Sequence, residues 1–226
     1  MLSLNECPLH ETMVSSETPE REESICKSFK NLYVRYYSAK HKIDQWRIPG
    51  YAINFGVKQS TGQNIFISCA EIYHVDNSII EMQNTLETNP NALVIPKEGK
   101  DDDGNILKKL KYSEDITVLD YMRAPKLDNI HLPFFMGMKK SNFIKIGGYD
   151  EDLTGIAYDD NDFVERMNKI GCFQVRTNCK IIHLYHPRLD FNNQEIKNKV
   201  DYNKHLYLTR RALVVRNKEI QWGKNF

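Results

Sequence analysis

A chain of 226 residues, 41% hydrophobic and 27% charged, is long enough for one sizeable core and too apolar to be disordered or fibrous. Its 31 Lys and Arg against 30 Asp and Glu leave a net charge of +1, which excludes the chain-wide field of a nucleic-acid or anionic-membrane binder. No stretch approaches the roughly 18 apolar residues of a membrane span, and five cysteines without a C-x-x-C pair indicate neither a disulfide framework nor a zinc knuckle.

In chain order, Met13-Val14 predicts a short strand, Ser15 to Pro19 a turn, and Glu20 to Phe29 a helix. Leu32 to Tyr37 alternates well enough for a strand, and Asn64 to Cys69 holds the apolar run Ile65-Phe66-Ile67 behind Gly62. Ile79, Met82 and Leu86 fall at helical spacing, and Ala92 to Ile95, before Pro96, reads as the next strand. This alternation of strand and helix predicts an α/β sheet. Between Lys97 and Glu114 five Lys and five acidic residues crowd around Gly99 and Gly104, the composition of an exposed hairpin, a solvated loop or a mobile flap. Phe134 to Met138 is strand-like, and Phe143 to Ile146 leads into a Gly147-Gly148 turn. From Asp162, the residues Phe163, Met167 and Ile170 mark one face of a helix that Gly171 ends. Cys172 to Arg176 and Lys180 to Leu184 read as two strands, and Asn192 to about Arg216 as one long or broken helix. The result is a single domain, with residues 1–96 and 116–190 as its halves, 97–115 as the loop or flap and 191–226 as a carboxy-terminal helix. Reduced thiols and no basic-then-apolar leader pattern fit a cytoplasmic protein.

Chemistry concentrates at Asp159-Asp160-Asn161-Asp162, where the helix through Phe163 starts. One such side chain caps free backbone N–H groups, and the helix dipole favours a second negative charge. Four consecutive carboxylate or amide side chains exceed what a cap requires. Adjacent carboxylates at a helix start point in different directions, so one caps while the other faces a cleft and accepts a proton from a substrate hydroxyl.

The run from Met136 through Gly147-Gly148-Tyr149-Asp150-Glu151, followed by Ile156-Ala157-Tyr158-Asp159-Asp160-Asn161-Asp162-Phe163, resembles the galactosyltransferase-type segment of GT-A glycosyltransferases, in family-2-like form. The resemblance implies the GT-A nucleotide-sugar transferase fold: α/β, with a mixed, mostly parallel central sheet flanked by helices. Met1 to Thr12 is too short for that fold's opening strand and helix, so the nucleotide half is read as shortened. The resemblance also implies an inverting transfer of a hexose or N-acetylhexosamine, from a UDP-sugar to an acceptor hydroxyl. In that transfer Asp160 is the general base, Asp159 its partner acid and Asn161 an acceptor contact. Gly147, Gly148 and Asn54 fall at substrate-binding positions, the last within Pro49 to Val57, which is similar to the family's A-R-N-x-G segment with Ile53 in the place of Arg. Glu17 aligns with the strand-end turn that contacts uridine.

For the Mn2+ or Mg2+ that such enzymes use, the resemblance offers Glu71 and His186. Cys69-Ala70-Glu71 stands where the family carries D-x-D, with His74 close by, and His183-Leu184-Tyr185-His186-Pro187 resembles the H-x-x-H-P after its last core strand. Hard cations prefer oxygen donors, and Cys69 is a poor one. Taken alone, Glu71 also reads as a surface acid at a strand end, and two histidines at this spacing as structural or surface residues. The partners implied are a sugar nucleotide and a glycan or other hydroxyl acceptor. A degenerate D-x-D also fits another reading, a non-catalytic GT-A-like module that binds a glycan, a nucleotide or a protein.

Overall fold

The computed structural model describes residues 11–16, 24, 33–38, 49–112, 115–127, 134–154, 156–187, 190–218 and 221–223. The helix predicted over Glu20 to Phe29 lies outside these residues but for Ser24, and so does Glu17. Strands β1 (Glu11–Ser16) and β2 (Tyr33–Ser38) pair in parallel. Helix α1 (Pro49–Gln59) comes next and receives a hydrogen bond from Arg35, whose guanidinium donates to the Gln59 carbonyl at 2.7 Å.

The chain continues through β3 (Asn64–Ser68), the short β4 (Ile72–His74), α2 (Ser78–Thr88) and β5 (Ala92–Lys100). It then forms α3 (Asn105–Lys111), α4 (Val118–Arg123), β6 (Lys126–Leu127) and β7 (Phe135–Lys139). It closes with α5 (Lys140–Lys145), α6 (Asp159–Lys169), β8 (Phe173–His183) and α7 (Gln194–Arg210). The main sheet runs β3-β7-β5-β8-β4, with β6 on β5. Among the described residues only β5 and β8 pair in parallel within it, so the sheet is mixed but not mostly parallel. The antiparallel pairings of β7 with β3 and β5, of β4 with β8 and of β6 with β5 make the difference.

Alternation along the central strands divides the core between two faces, as the two-residue period of a strand requires. Leu93 and Ile95 of β5 pack with Ile65, Met136, Phe143 and Phe163 beneath α5 and α6. Ala92 and Val94 point the other way, to Met82 and Leu86 of α2 with Phe135 and Ile181.

Three expectations are corrected. The charged stretch from Lys97 is not all loop: β5 continues to Lys100, and α3 starts at Asn105. The ladder to β8 shifts register between Ile95 and Lys97, where Pro96 has no N–H to give. Cys172 to Leu184 does not break into two strands, because β8 runs unbroken. Its polar middle is satisfied by a neighbouring strand and by a helix: Thr177 donates to the Ile95 carbonyl of β5 at 3.2 Å, and the Asn178 N–H to Glu81 Oε1 of α2 at 2.5 Å. The last helix is shorter than predicted, capped by the Asn193 side chain and ending at Arg210. Among the described residues no helix is long and apolar enough to cross a membrane.

Candidate active site

Helix α6 starts without a side-chain cap. Its N-cap residue, Tyr158, and Ala157 before it both adopt left-handed backbone, with φ of 70° and 71°. Asp159, Asp160 and Asp162 therefore occupy its first turn without capping it from the N-cap position, and the helix dipole favours their charge there. They divide by environment. Asp162 is buried and ion-paired to Arg166 at 2.7 Å and Arg216 at 2.5 Å, which makes it part of the core. Asp159, Asp160 and Asn161 are half-buried at the helix mouth. Asp160 Oδ1 accepts a hydrogen bond from the Tyr149 hydroxyl at 3.0 Å.

Tyr149 comes from the glycine turn. Its ring is 1% exposed and stacks parallel on Phe163 of α6, with centroids 4.4 Å apart. Burial, reinforced by Asp160, Asp159 and Cys69, holds its phenol well above the usual range, so the hydroxyl stays protonated.

The residues read as substrate contacts in this turn sit behind the site. Asn54 is wholly buried: its Oδ1 accepts from the Tyr149 N–H at 2.8 Å, and its Nδ2 donates to the Tyr149 carbonyl and to Glu151 Oε1, each at 2.9 Å. Gly147 and Gly148 are also buried, with φ of +76° and +69°. A Cβ on Gly148 would stand 2.2 Å from Asn54 Oδ1, and one on Gly147 2.2 Å from the Arg216 carbonyl oxygen. These three residues bring the turn against α1 and the tail, and so aim Tyr149.

Glu71 directly precedes β4, where its carbonyl accepts from the Leu184 N–H at 2.9 Å, and His186 follows the end of β8. His186 is half-buried, and its Nδ1 lies 3.1 Å from the Pro187 carbonyl. A carbonyl accepts only from a protonated nitrogen, so a neutral His186 carries its lone pair on Nε2. His183 is buried, stacked on Phe134 at 4.4 Å. His74 is engaged with Ser78 at 2.5 Å and with the Phe135 ring. Among the described residues no group of three or more His, Cys, Asp or Glu converges to hold a metal. Mg2+ and Mn2+ prefer oxygen donors, which of these two residues only Glu71 supplies, and substrate phosphates and water complete such sites. Beside His183 and His186, at the carboxyl ends of β5 and β8, a cavity of about 330 Å³ has Lys100, Asp101 and Asp102 as its opposite wall. Ligands of open α/β sheets bind outside such strand ends.

Sequence reasoning missed Tyr149, whose phenolic oxygen was the available signal within the glycine-turn motif. It also missed Asn203, whose amide donates to the Thr154, Ile156 and Ala157 carbonyls at 2.8, 3.1 and 3.0 Å and so holds the loop into α6. No local signal marks it, because its partners lie more than forty residues away.

Residues 11–183 match the family described as glycosyltransferase like family 2. No curated protein matches the sequence. Among solved structures the chain is similar to GalNAc-T7 with UDP, GalNAc and Mn2+, at 14% identity and a TM-score of 0.57, over 89% of this chain and 45% of that one. It is also similar to S. aureus TarS 1-349 in complex with UDP, at 12% identity and a TM-score of 0.50, over 85% of this chain and 55% of that one. The chain thus spans about half the length of these structures, and the likeness at such identities is one of fold.

Proposed function

The chain belongs to the glycosyltransferases like family 2, and from that premise we propose that it is an inverting transferase, moving a hexose or N-acetylhexosamine from a UDP-sugar to an acceptor hydroxyl with Asp160 as base. The observation that carries this reading is the split between the acids of α6: Asp162 is locked into the core, while Asp160 is held at the helix mouth by a tyrosine hydroxyl. The acceptor hydroxyl gives its proton to the Asp160 carboxylate, and its oxygen bonds to the anomeric carbon. The bond from that carbon to the diphosphate breaks on the opposite face, and UDP leaves with the electron pair. Asp159 and Asn161, beside the base, face the acceptor. Glu71 and His186 would hold a divalent cation together with the donor diphosphate, and such an ion supplies charge neutralisation as the leaving group departs. UDP in both similar structures, and GalNAc with Mn2+ in one, support the choice of donor and metal.

The test is mass-spectrometric turnover of UDP-hexoses and UDP-N-acetylhexosamines with p-nitrophenyl glycosides as acceptors, with and without Mn2+. Asp160→Asn should lower transfer at least a hundred-fold, the usual worth of a general base, and leave UDP affinity nearly unchanged. Full turnover by the Asn variant would refute the assignment. Cys69 in the place of an acid favours a second reading, a binding module without catalysis. A module that binds a glycan or a protein leaves the melting temperature unmoved by UDP with Mn2+, and one that binds the nucleotide raises it without turnover, since only a ligand of the folded state stabilises.

A further inference from the structure

We propose that Tyr149 is the positioning residue of the base: delivered by the Gly147-Gly148 turn, its hydroxyl holds Asp160 Oδ1 at 3.0 Å and sets the direction in which the carboxylate meets the acceptor. The inference rests on the reading of Asp160 as the base.

The ring is fixed from every side. Phe163 stacks on it with planes 8° apart, and Phe143 lies against it at 6.3 Å. Asn54 clamps its N–H and carbonyl, and Asn217 donates to the same carbonyl at 2.7 Å. An oxygen on so rigid a ring is presented at one point in space, and no rotamer entropy is lost when it binds. Phe163 and Asp160 belong to one helix, three residues apart, so they share a face. The stack and the hydrogen bond therefore fix α6 against the glycine turn together.

Packing alone would be served by a phenylalanine ring. The hydroxyl adds a donor to the half-buried Asp160 carboxylate. A donated hydrogen bond favours the ionised carboxylate, the form that accepts a proton. Fixing its orientation removes a cost that would otherwise fall on the transition state. The hydroxyl meets Asp160, and the ionisable groups whose charge acts on it are Asp160 and Asp159 at the start of α6 and Cys69 just after β3. Its raised pKa keeps the phenol protonated, so toward the Asp160 carboxylate it donates.

Tyr149→Phe keeps the ring and removes one O–H. In protein labelled with 13C at the aspartate carboxyls, with the Asp160 signal assigned from Asp160→Asn, the variant should bind a proton at Asp160 roughly ten-fold more tightly, the effect of losing one such hydrogen bond. With UDP-N-acetylgalactosamine and a p-nitrophenyl glycoside, kcat should fall about ten-fold and its acid limb move to higher pH, while KM for both substrates stays within two-fold. A purely structural tyrosine would move neither the titration nor the acid limb. If Tyr149→Phe does not fold, 3-fluorotyrosine at position 149 keeps the shape and strengthens the donor, and the Asp160 titration should then move to lower pH. An Asp160 signal that titrates unchanged in the variant that folds overturns the positioning role and leaves the base assignment standing. Transfer retained by Asp160→Asn overturns the base assignment and leaves the titration result intact.

Discussion

A methyl group at position 148 would test how tightly the glycine turn is built. The backbone there has φ of +69°, which costs an L-residue roughly 1–2 kcal/mol. The new carbon would also stand 2.2 Å from Asn54 Oδ1 and 2.8 Å from the Trp222 ring. Asn54 cannot give way without releasing the Tyr149 N–H and carbonyl. Gly148→Ala should therefore lose about 3 kcal/mol, since strain and a broken buried hydrogen bond add. The urea midpoint would fall accordingly, and an unchanged midpoint would mean that the turn has room to relax. From the sequence, Gly147, Gly148 and Asn54 read as substrate contacts, because a motif records that residues matter without recording which way they face. The partner that explains Asn54 is Tyr149, 95 residues away, and no local pattern carries such a pairing.

Strand β5 shows the same contrast at the level of an element. Its first half is legible, because Ala92 to Ile95 is an uninterrupted apolar run flanked by a turn and a proline. Its second half reads as loop, because Lys97-Glu98-Gly99-Lys100 has no apolar alternation. Yet Glu98 is only 7% exposed, and Gly99 is a glycine for a packing reason: a Cβ there would stand 3.2 Å from the Tyr121 ring. Asp101, in the run of acids that suggested a flap, points its carboxylate at the Ile106 and Leu107 N–H groups at 3.1 and 2.9 Å and serves the start of α3. The apolar face of helix α6 was legible, since it repeats within the helix itself, but its start was not, because the acids read as a cap lie inside its first turn. Burying Glu98 has a consequence for stability. Desolvation raises its carboxyl from an ordinary 4.5 to about 7, against the opposing pull of Arg176 and the Phe134 N–H. Between those values the folded chain binds more protons than the unfolded one, so stability falls as pH rises through that window. A shift of this size corresponds to roughly 3 kcal/mol at its upper end. Glu98→Gln should flatten the slope and exceed the wild type in urea midpoint at pH 8, with little difference at pH 4.5. Parallel curves for the two proteins would mean that the Glu98 carboxyl reaches solvent.

Across the whole molecule, the family-matched region ends at residue 183, but the site it contains is held by the segment beyond it. Arg210 donates to both oxygens of the buried Asp150, at 3.0 and 2.9 Å. Arg216 reaches Asp150 at 2.9 Å and Asp162 at 2.5 Å. Its own N–H donates to the Ile146 carbonyl at 3.0 Å, directly before the glycine turn. Asn217 then donates to the Gly147 carbonyl at 2.8 Å, and the Gly223 N–H to Glu151 at 2.9 Å. Trp222 packs over Lys58 and beside Phe143. Residues 203–218 and 221–223 thus act as a clasp over the loop that carries Tyr149 and leads to Asp160. Charges buried in such a network are costly when one partner is removed: an uncompensated ion loses about 3–5 kcal/mol. In Arg216→Met the volume is kept and the charge is lost, so the clasp should detach from the core face it covers, while the opposite face, packed on α2, keeps the sheet folded. Trp222 reports on the clasp once Trp46 is replaced by Phe, and far-UV circular dichroism reports on the sheet and helices. In the parent the two should melt together in urea, as one cooperative unit does. In Arg216→Met the Trp222 signal should change first, at a clearly lower midpoint. If the two transitions still coincide, the clasp and the sheet are a single unit, and the buried charges serve stability alone instead of fastening the site.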